Sequence, residues 1–184
     1  LGLERAGFAH IGLIEIDKSS VKTLLANRPN WNVICYDIAE ISSCDLESKF
    51  NIKIKELDLL SGGSPCQSFS YAGKRLGLED TRGTLFYHYA LFLKKLQPKM
   101  FLFENVKGLL THDKGNTFKI ICDIFCEQGY NIEYKVLNAL DYGVAQKRER
   151  LIVVGIRKDL QDKVFFTFPK KHDKKLVLRD ILQN

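Results

Sequence analysis

A cysteine stands in an unusual frame in Gly62-Gly63-Ser64-Pro65-Cys66-Gln67-Ser68-Phe69-Ser70. The two glycines allow backbone to approach a ligand closely and Pro65 stiffens the turn. Cys66 is therefore expected on a loop, placed to act as a nucleophile. Most cysteines are buried and inert, but this frame works against burial. A carboxylate, Glu104, follows the apolar run Phe101-Leu102-Phe103 and precedes Asn105-Val106. Desolvation there is expected to raise its pKa, so that a fraction stays protonated and donates a hydrogen bond; the alternative is pairing with a nearby Lys or Arg. A third group, Gln146-Lys147-Arg148-Glu149-Arg150, precedes another apolar run. Two further acids, Glu15 and Asp37, each follow a short apolar run. An acid in such a place accepts hydrogen bonds from ribose hydroxyls or an adenine amino group, or caps the next helix.

The elements that must position these groups alternate. Strands are expected over Ile11–Ile16, Trp31–Tyr36, Glu56–Ser61, Met100–Phe103, Asn131–Leu137 and Leu151–Ile156, and helices over Ser19–Asn27 and Thr117–Gln128. Leu85, Phe86, Tyr89, Phe92, Leu93 and Leu96 share one helix face, which Pro98 closes. Strands apolar on both faces that alternate with helices imply an α/β fold with a doubly wound, mostly parallel sheet. Ligands in that class sit beyond the carboxyl ends of the strands, which is where the candidate residues fall.

The 184 residues, 45% hydrophobic and 27% charged, suit one globular domain over 1–184. No apolar run approaches the ~18 residues of a membrane span, and a secretory signal is not evident. The net charge of +6 permits nucleic acid as a partner without requiring it. Five cysteines without a C-x-x-C spacing read as reduced thiols of a cytoplasmic protein that holds no metal, with Cys122 and Cys126 packed on one helix face. Leu1–Gly7 reads as the end of a helix and Leu176–Leu182 as the opening of another element. The expectation is a fragment, or a subunit completed by a second chain.

The Pro-Cys-Gln loop, the Glu-Asn-Val strand end and the Gln-x-Arg-x-Arg box occur in the order and at the separations found in the C5-specific DNA cytosine methyltransferases, and the chain resembles that family. The likeness includes Glu15, Asp37 and the helix start Arg82-Gly83-Thr84-Leu85-Phe86, so it spans nearly the whole chain. The resemblance implies a Rossmann-like, S-adenosylmethionine-dependent methyltransferase fold, incomplete here, acting on double-stranded DNA in a bacterial or phage restriction-modification system. It implies Cys66 as nucleophile, Glu104 on the cytosine ring nitrogen and amino group, Arg150 on the carbonyl oxygen, and Arg148 in the active site or on the DNA backbone. Glu15, Ile16, Asp37, Ile38, Pro65 and Leu85 would hold S-adenosylmethionine, and Gln67, Ser70, Asn105, Val106 and Gln146 would face the substrate.

The family's opening Gly-rich cofactor turn and its target-recognition region are not seen in this sequence, so the isolated chain is expected to be inactive. A tRNA methyltransferase with the same residues and a non-catalytic nucleic-acid-binding relative are the alternatives. The trio Cys66, Glu104 and Arg150 argues against the second, since binding alone does not need it.

Overall fold

The computed structural model describes residues 1–64, 81, 84–173, 175–177 and 179–180. Their contacts divide the chain into two compact units, Leu1–Ile54 and Lys55–Asn184. The element expected over Leu176–Leu182 falls partly outside the described residues.

The first unit runs α1 (Gly2–Arg5), β1 (Leu13–Glu15), α2 (Lys18–Asn27), β2 (Val33–Cys35), α3 (Ile38–Ser43) and α4 (Leu46–Phe50). β1 and β2 pair in parallel, with Glu15 opposite Cys35. An aspartate opens each of the three later helices. Asp17 accepts from the Ser20 N–H, Asp37 from that of Ala39, and Asp45 from those of Glu47 and Ser48. Bonds from Ser20, and then from Ser19, hold the Asp17 carboxyl down at about 2. Sequence periodicity does not reveal α3 and α4, because 6 and 5 residues are too few to define a helical face. Their caps are the legible signal.

The second unit contains β3 (Leu59–Gly62), α5 (Leu85–Leu96), β4 (Met100–Val106), α6 (Asn116–Glu127), β5 (Tyr130–Asn138) and β6 (Glu149–Arg157). The sheet order is β3-β4-β6-β5. β3 and β4 are parallel, whereas β6 runs antiparallel to both neighbours. β4 and β5 therefore share a direction, and β6 is the reversed member of a mostly parallel set. An apolar run does not disclose its direction, but residues 139–148, which join β5 to β6, are fewer than the dozen or so a parallel crossover needs.

Thr84 caps α5 by accepting from the Tyr87 N–H at 3.1 Å, and Gln97 ends the helix in the left-handed conformation. The aromatic residues of α5 and α6 meet those of β4 on one face of the sheet. Phe101 packs 4.5 Å from Phe125, and Tyr89 packs 5.2 Å from Phe103, between ring centroids. Tyr130 donates its hydroxyl to the Pro98 carbonyl at 2.8 Å, which satisfies the polar end of a buried ring. The opposite face holds Leu102, Glu104 and Ile152, all half-exposed among the described residues. Cys122 is half-buried, and burial pushes its thiol up to about 12; Cys126 is exposed, contrary to the expected packing of both thiols in the core.

The segment after β6 returns to the loop between β5 and β6. Buried Asp141 receives Lys171 Nζ at 2.7 Å and Lys175 Nζ at 3.3 Å, and its carbonyl accepts from the His172 N–H at 2.8 Å. The Lys171 bond is the main reason that the Asp141 carboxyl lies below its usual range.

Two outcomes follow from this packing. A Cβ on Gly155 would overlap the Phe101 ring in the aromatic core, so Gly155→Ala should destabilise the second unit by about 1–3 kcal/mol, read as a lowered denaturant midpoint. Asp141 has a depressed folded-state pKa, so its hold on Lys171 is present above the usual carboxylate range and is lost as pH falls through the lowered value. Asp141→Asn should remove that hold at neutral pH, making limited trypsin digestion cut faster at Lys170 and Lys171; an unchanged cleavage rate would contradict it.

Candidate active site

The carboxyl ends of β3 and β4 and the loop before β6 converge on Glu104. Strand alternation sets its direction. Glu104 pairs with Ile152 on the half-open face, whereas Asn105 pairs with Leu151 on the core face. Arg150 lies opposite Val106, so its side chain shares the Glu104 face one pair further along. Arg150 Nε sits 2.9 Å from Glu104 Oε1, and Arg148 Nη2 sits 3.8 Å from the same oxygen. The Glu104 side chain is 41% exposed, so the expected desolvation is not found. The strand is apolar, but Glu104 points to the half-open face, away from the helices that bury Phe101 and Phe103 on the other. Pairing with arginine, the alternative reading, is what the residue does.

The approach to the cysteine loop is fixed on the same strand. Gly62 is the last β3 residue in register with β4, opposite Phe103. A Cβ on Gly63 would overlap the Glu104 carbonyl oxygen, so only glycine fits there. Gly63, expected to make room for a ligand, makes room for the neighbouring strand instead. Asn105 is buried at 3% exposure, donates Nδ2 to the Ser64 carbonyl at 2.7 Å and accepts the Val106 N–H at 2.8 Å. Both ends of its amide bond to backbone of the chain itself. Ser64 Oγ is buried without a hydrogen-bond partner among the described residues.

Asn138 closes the arginine-bearing loop: its Oδ1 accepts from the N–H groups of Leu140 and Arg148, both at 3.2 Å, while the Ala139 N–H donates to the Arg148 carbonyl at 3.0 Å. Sequence reasoning does not single out Asn138. The signal that could find it is an asparagine ending a strand, where the side chain can replace a backbone turn bond. Gln146 and Arg148 are exposed, and Val106 is 45% exposed beyond the ion pair. Lys107 pairs with Glu149 at 3.3 Å on the flank.

Glu15, Ile16, Asp37 and Ile38 collect at the carboxyl ends of β1 and β2 in the first unit. Glu15 Oε1 accepts the Asp17 N–H at 2.9 Å, Asp37 Oδ1 accepts that of Ala39 at 2.8 Å, and Ile16 is 63% exposed. Leu85 opens α5 in the second unit and is exposed. Pro65, Cys66, Gln67 and Ser70 lie outside the described residues. Among the described residues, no cluster of three metal-ligating side chains occurs, and no helix is long and apolar enough to cross a membrane.

Comparison with known proteins gives the arrangement its family. The C-5 cytosine-specific DNA methylase family matches residues 1–184. The Type II methyltransferase M.Sau96I of Staphylococcus aureus is 49% identical over 181 residues, covering 97% of this chain and 41% of the relative. The Type II methyltransferase M.Eco47II of Escherichia coli is 47% identical over 184 residues, covering 100% of this chain and 42% of the relative. Among solved structures, a prophage-encoded Escherichia coli protein assigned as a DNA modification methyltransferase superposes with a TM-score of 0.77 at 25% identity, over 97% of this chain and 49% of that one. The chain thus spans about two fifths of the length of these curated relatives. With the match running from the first residue to the last, this chain belongs to the C-5 cytosine-specific DNA methylase family.

Proposed function

We propose that the chain is part of the catalytic domain of a DNA (cytosine-5-)-methyltransferase of a bacterial or phage restriction-modification system. It would move a methyl group from S-adenosylmethionine to carbon 5 of a cytosine flipped out of duplex DNA. The observation that carries this reading is the Glu104 carboxylate, held by Arg150 and Arg148 on a strand whose parallel neighbour leads into Cys66. Both side chains of the Arg150–Glu104 pair are more than a quarter exposed, so the pair is worth at most about 1 kcal/mol. Exchanging it for contacts to a base costs little. A fully buried pair would be expensive to break.

The first unit suits the nucleoside end of the cofactor. Glu15 and Asp37 each use one carboxylate oxygen on a local N–H, and the second oxygen of each can accept from a ribose hydroxyl or an adenine amino group. Ile16 offers exposed apolar surface there, with Ile38 beside Asp37, and Pro65 and Leu85 belong to the set by resemblance alone. When bound, S-adenosylmethionine supplies an electrophilic methyl group. The rest is the work of side chains. Carbon 5 of cytosine is a weak nucleophile, so the Cys66 thiolate first forms a bond to carbon 6 and the ring electron pair moves toward carbon 5. Glu104 on the ring nitrogen and amino group, with Arg150 on the carbonyl oxygen, stabilises the charge that develops. Carbon 5 takes the methyl group and then loses its proton. The electron pair returns to the ring, the carbon–sulfur bond breaks, and Cys66 leaves as thiolate; the net change is one methyl for one proton. A stacked base exposes none of these atoms, so the nucleotide is flipped out at a cost of a few kcal/mol. Arg148, exposed beside the pair, would meet the base or a phosphate, and Gln67, Ser70, Val106 and Gln146 would line the approach of the DNA.

In the full-length protein, duplex containing 5-fluorocytosine should trap an adduct on Cys66, because fluorine does not leave as a proton does. Cys66→Ala should abolish both adduct and methyl transfer while leaving cofactor binding intact. Adduct mapped to another cysteine would reassign the nucleophile, and faster transfer to tRNA than to duplex DNA would reassign the substrate. Glu104→Gln should depress turnover far more than cofactor affinity, whereas Glu15→Ala should weaken cofactor binding by about tenfold, the equivalent of ~1.4 kcal/mol, with a smaller effect at saturating cofactor. Calorimetry paired with turnover assays distinguishes the two, and equal losses on both measures for Glu104→Gln would make that residue structural.

A further inference from the structure

Both polar ends of the Asn105 side chain bond to backbone within the chain, Nδ2 to the Ser64 carbonyl and Oδ1 to the Val106 N–H, and the residue is 3% exposed. The bond to Ser64 falls where the sheet can no longer hold the chain. Backbone pairing of β3 with β4 ends at Gly62 and Phe103. Two residues further, the Ser64 carbonyl belongs to a peptide bond with Pro65, whose nitrogen has no hydrogen to donate. The Asn105 side chain takes over at that point. Gly63, between them, is pressed against the Glu104 carbonyl with no room for a Cβ. The Ser64 hydroxyl makes no hydrogen bond among the described residues.

We propose that Asn105 is a positioning residue that replaces the lost strand pairing, holding the Ser64 carbonyl so that the chain leaves β4 at a fixed point two residues before Cys66. Glu104 and Asn105 are adjacent on one strand and point to opposite faces, so the carboxylate and the root of the cysteine loop are set against the same rigid reference. This deepens the proposed function and rests on it: a thiol that must reach carbon 6 of a base held by Glu104 needs its loop anchored to the strand that holds Glu104. Misplacement by about 1 Å can cost on the order of 100-fold in rate.

The test uses the full-length protein and Asn105→Asp, which keeps the side-chain size but sets an oxygen against the Ser64 carbonyl in place of the donor. The expected result is a roughly 10- to 100-fold slower single-turnover adduct with 5-fluorocytosine duplex and a matching fall in kcat, with cofactor affinity unchanged. Alkylation of half-buried Cys122 reports on the fold and should stay at the parent rate. If Asn105→Asp exposes Cys122, Asn105→Ala, which removes the donor without adding repulsion, is judged by the same criteria. Adduct formation at the parent rate overturns the positioning role alone. A fall matched by lost cofactor affinity and by Cys122 exposure in both variants also overturns it, since that marks a general packing role. No adduct in the unsubstituted protein overturns the proposed function, and this inference with it.

Discussion

The approach of Gly63 to the β4 backbone is the contact on which the rest of the site depends. A side chain there would collide with the Glu104 carbonyl, and no shift of a flexible group relieves that, because the obstacle is backbone. With glycine in place, the chain beyond β3 stays against β4 for two residues after regular pairing ends, and the Asn105 amide holds it at 2.7 Å. Steric permission and a buried hydrogen bond thus act on consecutive residues. Losing the bond would leave a buried carbonyl unpaired, at about 1–3 kcal/mol, which is more than the bond itself contributes net. The geometry is guarded by the cost of its absence.

β4 can serve as that reference because its other residues are immobilised. Phe101 and Phe103 are fully buried among Phe86, Tyr89 and Phe125, with rings meeting at edge-to-face or tilted angles. Such pairs add about 0.5–1.5 kcal/mol each beyond area burial. The odd-numbered residues lock the strand, and Glu104 among the even-numbered ones is left partly open. Reversal of β6 completes the arrangement. Because β6 enters the sheet at the carboxyl end of β4, its first residues lie beside the last residues of β4, which places Arg150 opposite Val106 and within reach of Glu104. A parallel β6 would have carried those arginines to the other end of the sheet.

Much of this is legible in the sequence. The helix over Leu85–Leu96 is legible, since its apolar spacing and the following proline agree, and the structure adds the Thr84 cap. The six strands are read in place because a short apolar run bounded by turn residues fits a buried strand and little else. Direction is harder, as a buried run looks the same whichever way it runs, and only the short β5–β6 connection carries the information. Burial at strand ends is misjudged for a related reason. An apolar run says that a strand is buried along its length, but β4 is covered closely on one face only, and Glu104 points to the other, whereas its neighbour Asn105 is buried. The Asn105 bond to Ser64 joins residues 41 apart, and no local pattern encodes it.

The acids of the first unit show that a structural and a functional reading of one residue need not compete. Asp37 caps α3 as the plainest reading of a strand-end aspartate requires. The cap uses one carboxylate oxygen, and in using it fixes the rotamer that aims the other. Glu15 is oriented in the same way by the Asp17 N–H, and Asp17 in turn is held by Ser19 and Ser20 at the start of α2. A carboxylate left free at a strand end would lose rotamer entropy on meeting a ligand; one already fixed by its own backbone has met that cost during folding. In the proposed function, helix capping and ligand binding would be successive uses of the same side chain. The logic matches that of Asn105 and Gly63, where packing within the fold fixes what the chemistry then needs in place.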